Sequence, residues 1–128
     1  MMRIAIAAAF LFLGFCPPSA QAHDWYSQKV DPVHKKGCCG GSDCAVLPID
    51  TPGVLSVEKD GYRVRLTLEQ AQKINPYRIQ AFDHLIPWDR VQPSEDLNYH
   101  ICILAKDYDV GWRDPRDGTY CFFEPPGV

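Results

Sequence analysis

Apolar residues follow three different rhythms along this chain. From Ile4 to Phe15 they run almost without a break. From Val54 to Leu66 they alternate with polar residues, the two-residue period of a half-buried strand. Over Leu68, Ala71 and Ile74 they recur at the spacing of one helical face. The alternating stretch is interrupted at Asp60-Gly61, a dipeptide that suits a type I′ hairpin turn. A two-residue loop there predicts Val57 opposite Val64 and Leu55 opposite Leu66, with Glu58 opposite Arg63 on the other face. Thr67-Leu68-Glu69-Gln70 has the form of a capping box and predicts a short helix, which Asn75-Pro76 ends. Residues 77–87 carry no clear period and read as a helical turn or a loop.

Further on, Trp88 to Val91, between Pro87 and Pro93, reads as a short edge strand. Tyr99–Leu104 and Thr119–Phe123 are rich in β-formers and predict two more strands. A turn rich in Asp, Gly and Pro joins them, and Pro125-Pro126-Gly127 stops the second. Residues 23–44 hold Asp31-Pro32, Gly37 and Gly40-Gly41 and predict an irregular arm. The expected fold is mainly β, a small antiparallel sheet with one short helix, stabilised by disulfides.

The first apolar run changes the picture of where the chain works. It follows a basic start at Arg3 and precedes Ala20-Gln21-Ala22, a small-x-small cleavage pattern. Residues 1–22 are thus expected to be a signal peptide, with His23 as the new first residue. At about a dozen residues the run is too short to span a bilayer as a helix. Phe15 before Cys16 does not fit a lipoprotein signal, which places a small residue there. The expected location is periplasmic or secreted, the periplasm being preferred, with no membrane span after cleavage.

Taking 22 residues from 128 leaves 106, the size of one domain over residues 23–128. Loss of Arg3 lowers the basic count from 13 to 12 against 16 acids, a formal charge of −4. That balance argues against nucleic acid and against docking on an anionic membrane.

Five cysteines remain after cleavage: Cys38, Cys39, Cys44, Cys102 and Cys121. In an oxidising compartment most should pair, and an odd number leaves one over. Cys102 and Cys121 lie on the two late strands, where one antiparallel register brings them together. The second bridge is expected within Cys38, Cys39 and Cys44. Adjacent Cys38 and Cys39 would be strained, whereas Cys39–Cys44 closes a Gly-Gly-Ser-Asp turn. Cys38 is then the odd thiol, available for joining a second chain. Thiol redox catalysis usually uses Cys-x-x-Cys, a spacing this chain lacks. A zinc site from His34, Cys38, Cys39 and Cys44 has suitable ligand types but no paired knuckles.

His23 is the sharpest metal candidate. A terminal histidine offers its α-amine and ring Nδ1 together, and a second histidine completes a three-nitrogen set suited to copper. His34, His84 and His100 are the available partners, and His100 sits on a predicted strand. This arrangement resembles the histidine brace of lytic polysaccharide monooxygenases and of some periplasmic copper carriers. Asp107, Asp109, Asp114 and Asp117 form an acidic turn that lacks the EF-hand pattern for calcium. Gly40-Gly41-Ser42-Asp43-Cys44 lacks the closing glycine of a nucleophile elbow, and no His-Glu-x-x-His helix is present. Trp25, Tyr26, Trp88 and Trp112, with the final aromatic strand, are either core or a ligand surface.

His23-Asp24-Trp25-Tyr26, Cys38-Cys39, Asp43-Cys44, Tyr99-His100-Ile101-Cys102 and Cys121-Phe122-Phe123-Glu124-Pro125-Pro126-Gly127 together resemble a family of small secreted α-proteobacterial proteins of uncharacterised role. The resemblance implies a compartment and a disulfide layout but no activity; residues 67–90 depart from its shorter members. The functional expectation is a non-enzymatic exported domain that binds a protein or small-molecule partner, with no required cofactor. The alternative is a copper-binding protein using His23.

Overall fold

The computed structural model describes residues 25, 28–33, 35, 37–39, 43–107 and 119–128. Residues 1–22, expected to be a signal peptide, lie outside the described residues, as do His23, Tyr26, His34, Asp109, Trp112, Asp114 and Asp117.

The fold is mainly β with one short helix, as expected, but it has two sheets rather than one. The strands are β1 (Cys44–Val46), β2 (Leu55–Glu58), β3 (Gly61–Leu66), β4 (Phe82–Pro87), β5 (Val91–Pro93), β6 (His100–Ile103) and β7 (Thr119–Glu124). The helix α1 spans Leu68–Ile74. One sheet runs β1-β6-β7-β5 and the other β2-β3-β4. All pairings are antiparallel except β5 with β7, which is parallel.

The sheets bury their inner faces against each other. Tyr62, Val64 and Leu66 of β3 and Phe82 and Ile86 of β4 share one core with Ile101 and Ile103 of β6 and Phe122 of β7. Tyr62 crosses between the sheets: its hydroxyl donates to Glu124 Oε2 at 2.8 Å. Burial, then that hydrogen bond, pushes the Tyr62 hydroxyl pKa well up. Helix α1 closes one end of the core with Ala71 and Ile74, while Leu68 stays exposed. Its start is the expected capping box, with Thr67 Oγ1 accepting from Gln70 N–H and Gln70 Oε1 accepting from Thr67 N–H. Its last turn is followed by Asn75, whose Nδ2 donates to the Ile103 carbonyl at 2.9 Å and ties the helix to β6.

The β2–β3 hairpin forms, with its register shifted by two from expectation. Leu55 opposes Val64, Val57 opposes Tyr62, and Glu58 opposes Gly61. The loop is therefore Lys59-Asp60, not Asp60-Gly61. It is not a type I′ turn either, since Lys35 is the only described non-glycine residue with positive φ. A shift of two keeps every side chain on its face, so the apolar pattern cannot choose between the registers. Two contacts to β4 and its continuation decide it. Trp88 donates from its backbone N–H to Asp60 O and from Nε1 to Lys59 O, at 3.3 and 3.0 Å. Gly61 lies opposite Pro87, where a Cβ would overlap the Ile86 carbonyl oxygen. The glycine thus serves close strand approach rather than the turn. Arg63, freed from Glu58, pairs with Asp83 Oδ1 at 2.6 Å on the solvent face.

Strand β4 replaces the expected helical turn or loop. Phe82, His84 and Ile86 face inward, and Asp83 pairs outward, but half-buried Leu85 blurs the alternation. The strand expected over Trp88 to Val91 begins only at Val91, after a 3-10 turn over Trp88–Arg90. It occupies a sheet edge, as its flanking prolines require.

Gly61→Ala is expected to destabilise the fold by more than about 2 kcal/mol in urea unfolding, because a backbone carbonyl must move. Gly53→Ala, where φ is +84° but a Cβ meets open space, should cost only about 1 kcal/mol.

Candidate functional site

Strand β6 alternates between two buried environments. Ile101 and Ile103 enter the core, while His100 and Cys102 point to the opposite face with Cys44, Cys121 and Phe123. The arm covers this second face, contributing Cys38, Cys39 and Trp25. Cys102 has Cys44 as its register partner on β1 and Cys121 as its partner on β7. Three cysteines therefore stand side by side across adjacent strands, and Cys38 comes down on them from the arm.

The bridges are Cys44–Cys102 and Cys38–Cys121. This corrects the expected Cys102–Cys121 and Cys39–Cys44 pairing, and it corrects Cys38 as the odd thiol; Cys39 lies outside both bridges. The antiparallel register of Cys102 with Cys121 is as expected, but β1 brings a second sulfur to the other side of β6. Ile103 N–H donates to Asp43 O at 2.9 Å and Leu47 N–H to Tyr99 O at 2.8 Å. By the antiparallel alternation, Cys44/Cys102 is then a narrow, non-hydrogen-bonded pair, with Cα atoms 4.0 Å apart.

Half-buried Cys39 and the buried residues Asp43 and Cys44 bring three ligand-type atoms within 4.8 Å of one another. Sulfur chemistry limits what they can hold. The Cys44 sulfur is bonded to Cys102 and supplies no thiolate, which leaves one thiol and one carboxylate. The zinc set of His34, Cys38, Cys39 and Cys44 meets the same obstacle at both Cys38 and Cys44.

His100 is 2% exposed, with Nε2 2.7 Å from Asp96 Oδ1 and Trp25 edge-on to its ring at 5.1 Å. It sits beneath the arm rather than on an open metal face. Burial alone would raise the Asp96 carboxyl, but hydrogen bonds from His100, Asn98 and Ser94 outweigh it and hold it at about 2. Phe123 packs edge-on to Trp25 at 4.9 Å. Two ion pairs pin the arm further: Lys29 to Glu95 at 2.8 Å, and Asp31 to Arg90 at 3.1 Å, the latter fully buried.

His84, another copper candidate, meets Asp107 Oδ2 at 2.9 Å. Asp107, proposed above only within an acidic turn, also accepts from Arg78 at 2.7 Å and Gln80 at 2.7 Å. Burial raises the Asp107 carboxyl, and His84, Arg78 and Gln80 together bring it below its ordinary value. Arg78 is fully buried and donates as well to the carbonyls of Gln80, Ala81 and Leu104 at 2.9–3.0 Å. This is a structural staple for the segment between α1 and β4. An arginine after Asn-Pro-Tyr carries no sequence signal for that role.

Of the aromatic candidates, Trp25 is half-buried against the cysteine cluster and Trp88 is exposed beside Tyr62. An open depression of about 460 Å³ lies between Thr51–Val54, Arg65–Thr67 and Ala81–Asp83. Its charged groups, Arg65 and Asp83, face each other at 3.6 Å.

No family model, no curated protein and no solved structure matches this chain.

Because Asp96 is depressed in the folded state, its stabilisation is full above the ordinary value of 3.8 and lost as pH falls through about 2. Asp96→Asn should lower the urea midpoint at pH 6, and the gap to the native sequence should close between pH 4 and pH 2. A gap that stayed constant over that range would exclude this role. Arg78→Lys should cost about 3–5 kcal/mol in the same assay, since an ammonium cannot reproduce the fork to three carbonyls and a carboxylate.

Proposed function

We propose that this chain is an exported, disulfide-locked binding domain, not an enzyme, and that it takes an extended polypeptide as an added strand along β2. The observation that carries this reading is the outer edge of β2. Arg65 N–H donates to Val54 O at 2.9 Å, so Val54/Arg65 is a hydrogen-bonded pair. By alternation Leu55 and Val57 turn their own N–H and C=O groups away from β3. Among the described residues no strand pairs with that edge.

The edge carries apolar Leu55 and Val57 on one face, with Ser56 and Glu58 on the other. Val57 is 71% exposed and stands opposite Tyr62, on which Trp88, 46% exposed, packs edge-on at 5.1 Å. Native edges are usually blunted by charge, proline or a covering segment. An edge with outward main-chain groups and two apolar side chains supports strand addition, where backbone bonds supply affinity and side chains supply choice. Two buried disulfides support work in an oxidising compartment, periplasmic or secreted.

Val57→Pro removes an outward N–H without touching the β2–β3 ladder, because an edge strand tolerates proline on its open side. Peptides of about ten residues selected from a random display library on the oxidised protein should bind V57P at least about tenfold more weakly. Failure to enrich any peptide, or equal binding to V57P, would sink the proposal.

A further inference from the structure

The cysteine cluster holds more reactive chemistry than two inert staples. The Cys39 Sγ lies within 4.8 Å of Cys44 Sγ, and Cys44 is one half of a disulfide. A thiolate beside a disulfide sulfur is the reactant pair of thiol–disulfide exchange. The leaving sulfur would be Cys102, and Cys102 is the register partner of Cys121, one half of the other disulfide. Each sulfur that is released therefore stands next to the next bridge.

We propose that Cys38, Cys39, Cys44, Cys102 and Cys121 form one thiol–disulfide exchange site with two interconvertible bridge sets, entered through Cys39. In the first step the Cys39 thiolate attacks Cys44 Sγ. A Cys39–Cys44 bond forms, the Cys44–Cys102 bond breaks, and Cys102 leaves as a thiolate. In the second step Cys102 attacks Cys121 Sγ, forming Cys102–Cys121 and releasing Cys38. The proton lost by Cys39 is regained at the final leaving sulfur. Among these five cysteines one thiol and two disulfides are present before and after, so no oxidant or reductant is consumed.

The two sets differ in what they tether. With Cys38–Cys121 intact, the arm is bonded to the face that carries Cys102, His100 and Phe123. In the exchanged set the arm is joined only to Cys44, five residues from Cys39, and β1 is no longer bonded to β6. Exchange thus unlatches the arm from β7. Geometry favours Cys39 as the entry point because it is the half-exposed member of the cluster, while the other four sulfurs are buried.

The test locates the thiol over time. The full oxidised chain is held folded at pH 6, 7 and 8, quenched in acid, unfolded, alkylated and mapped by peptide mass spectrometry. The label should begin on Cys39 and spread to Cys102 and Cys38. The rate should rise about tenfold per pH unit below the thiol pKa, as thiolate does. Cys102→Ser removes the leaving sulfur and should be isolated with Cys39–Cys44 and Cys38–Cys121 bridged and no alkyl group added. A label confined to Cys39 after hours at pH 8, or two alkyl groups on Cys39 and Cys44 in C102S, would overturn the proposal. Should C102S fail to fold, the time course of the native sequence decides alone.

Discussion

Strand β6 has both faces buried, and most of the molecule is arranged around that constraint. A strand in a two-layer sandwich normally shows one face to water. Here Ile101 and Ile103 fill the core between the sheets, while His100 and Cys102 need a second cover. The chain before β1 supplies it. This is why a segment with little regular structure carries Cys38, Trp25, Lys29 and Asp31, each of which contacts the sheet or the turns beside it. Without the arm, about one layer of apolar and sulfur atoms would face solvent.

Several polar groups buried by this packing meet a partner. Arg90 meets Asp31, His100 meets Asp96, and Asn75 meets the Ile103 carbonyl. Arg78 collects three carbonyls and a carboxylate from a segment with no ladder of its own. The Arg90–Asp31 and Asn75–Ile103 links and the Arg78 bonds to Leu104 and Asp107 join residues far apart in sequence, and they fix stretches that propensity leaves open. In a chain this small such contacts add to a modest core rather than replace it.

The two functional readings use opposite parts of the fold. The β2 edge belongs to the three-stranded sheet and faces outward, whereas the cysteine site lies on the far side of the four-stranded sheet, beneath the arm. The sandwich core separates them. An edge suited to strand addition needs a rigid sheet behind it, and the β3–β4 pairing, with Gly61 pressed against β4, supplies that rigidity. The sulfur cluster instead draws its chemistry from three neighbouring strands in one register.

Nearest-neighbour patterns along the chain suffice for several features. Alternation specified the hairpin and its faces, Thr67 and Gln70 specified the start of α1, and the β-rich runs specified β6 and β7, with Cys102 opposite Cys121. Tertiary structure alone decided which sulfurs bond, the hairpin's register and the presence of β4. The physical reason is shared. Cys102 has an acceptable partner on either side, a two-residue slip leaves the apolar face unchanged, and Phe82–Pro87 carries an imperfect period. In each case local energetics leave two answers nearly equal, and the strand that lands alongside chooses between them: β1 for Cys102, β4 and Trp88 for the hairpin, β3 for β4.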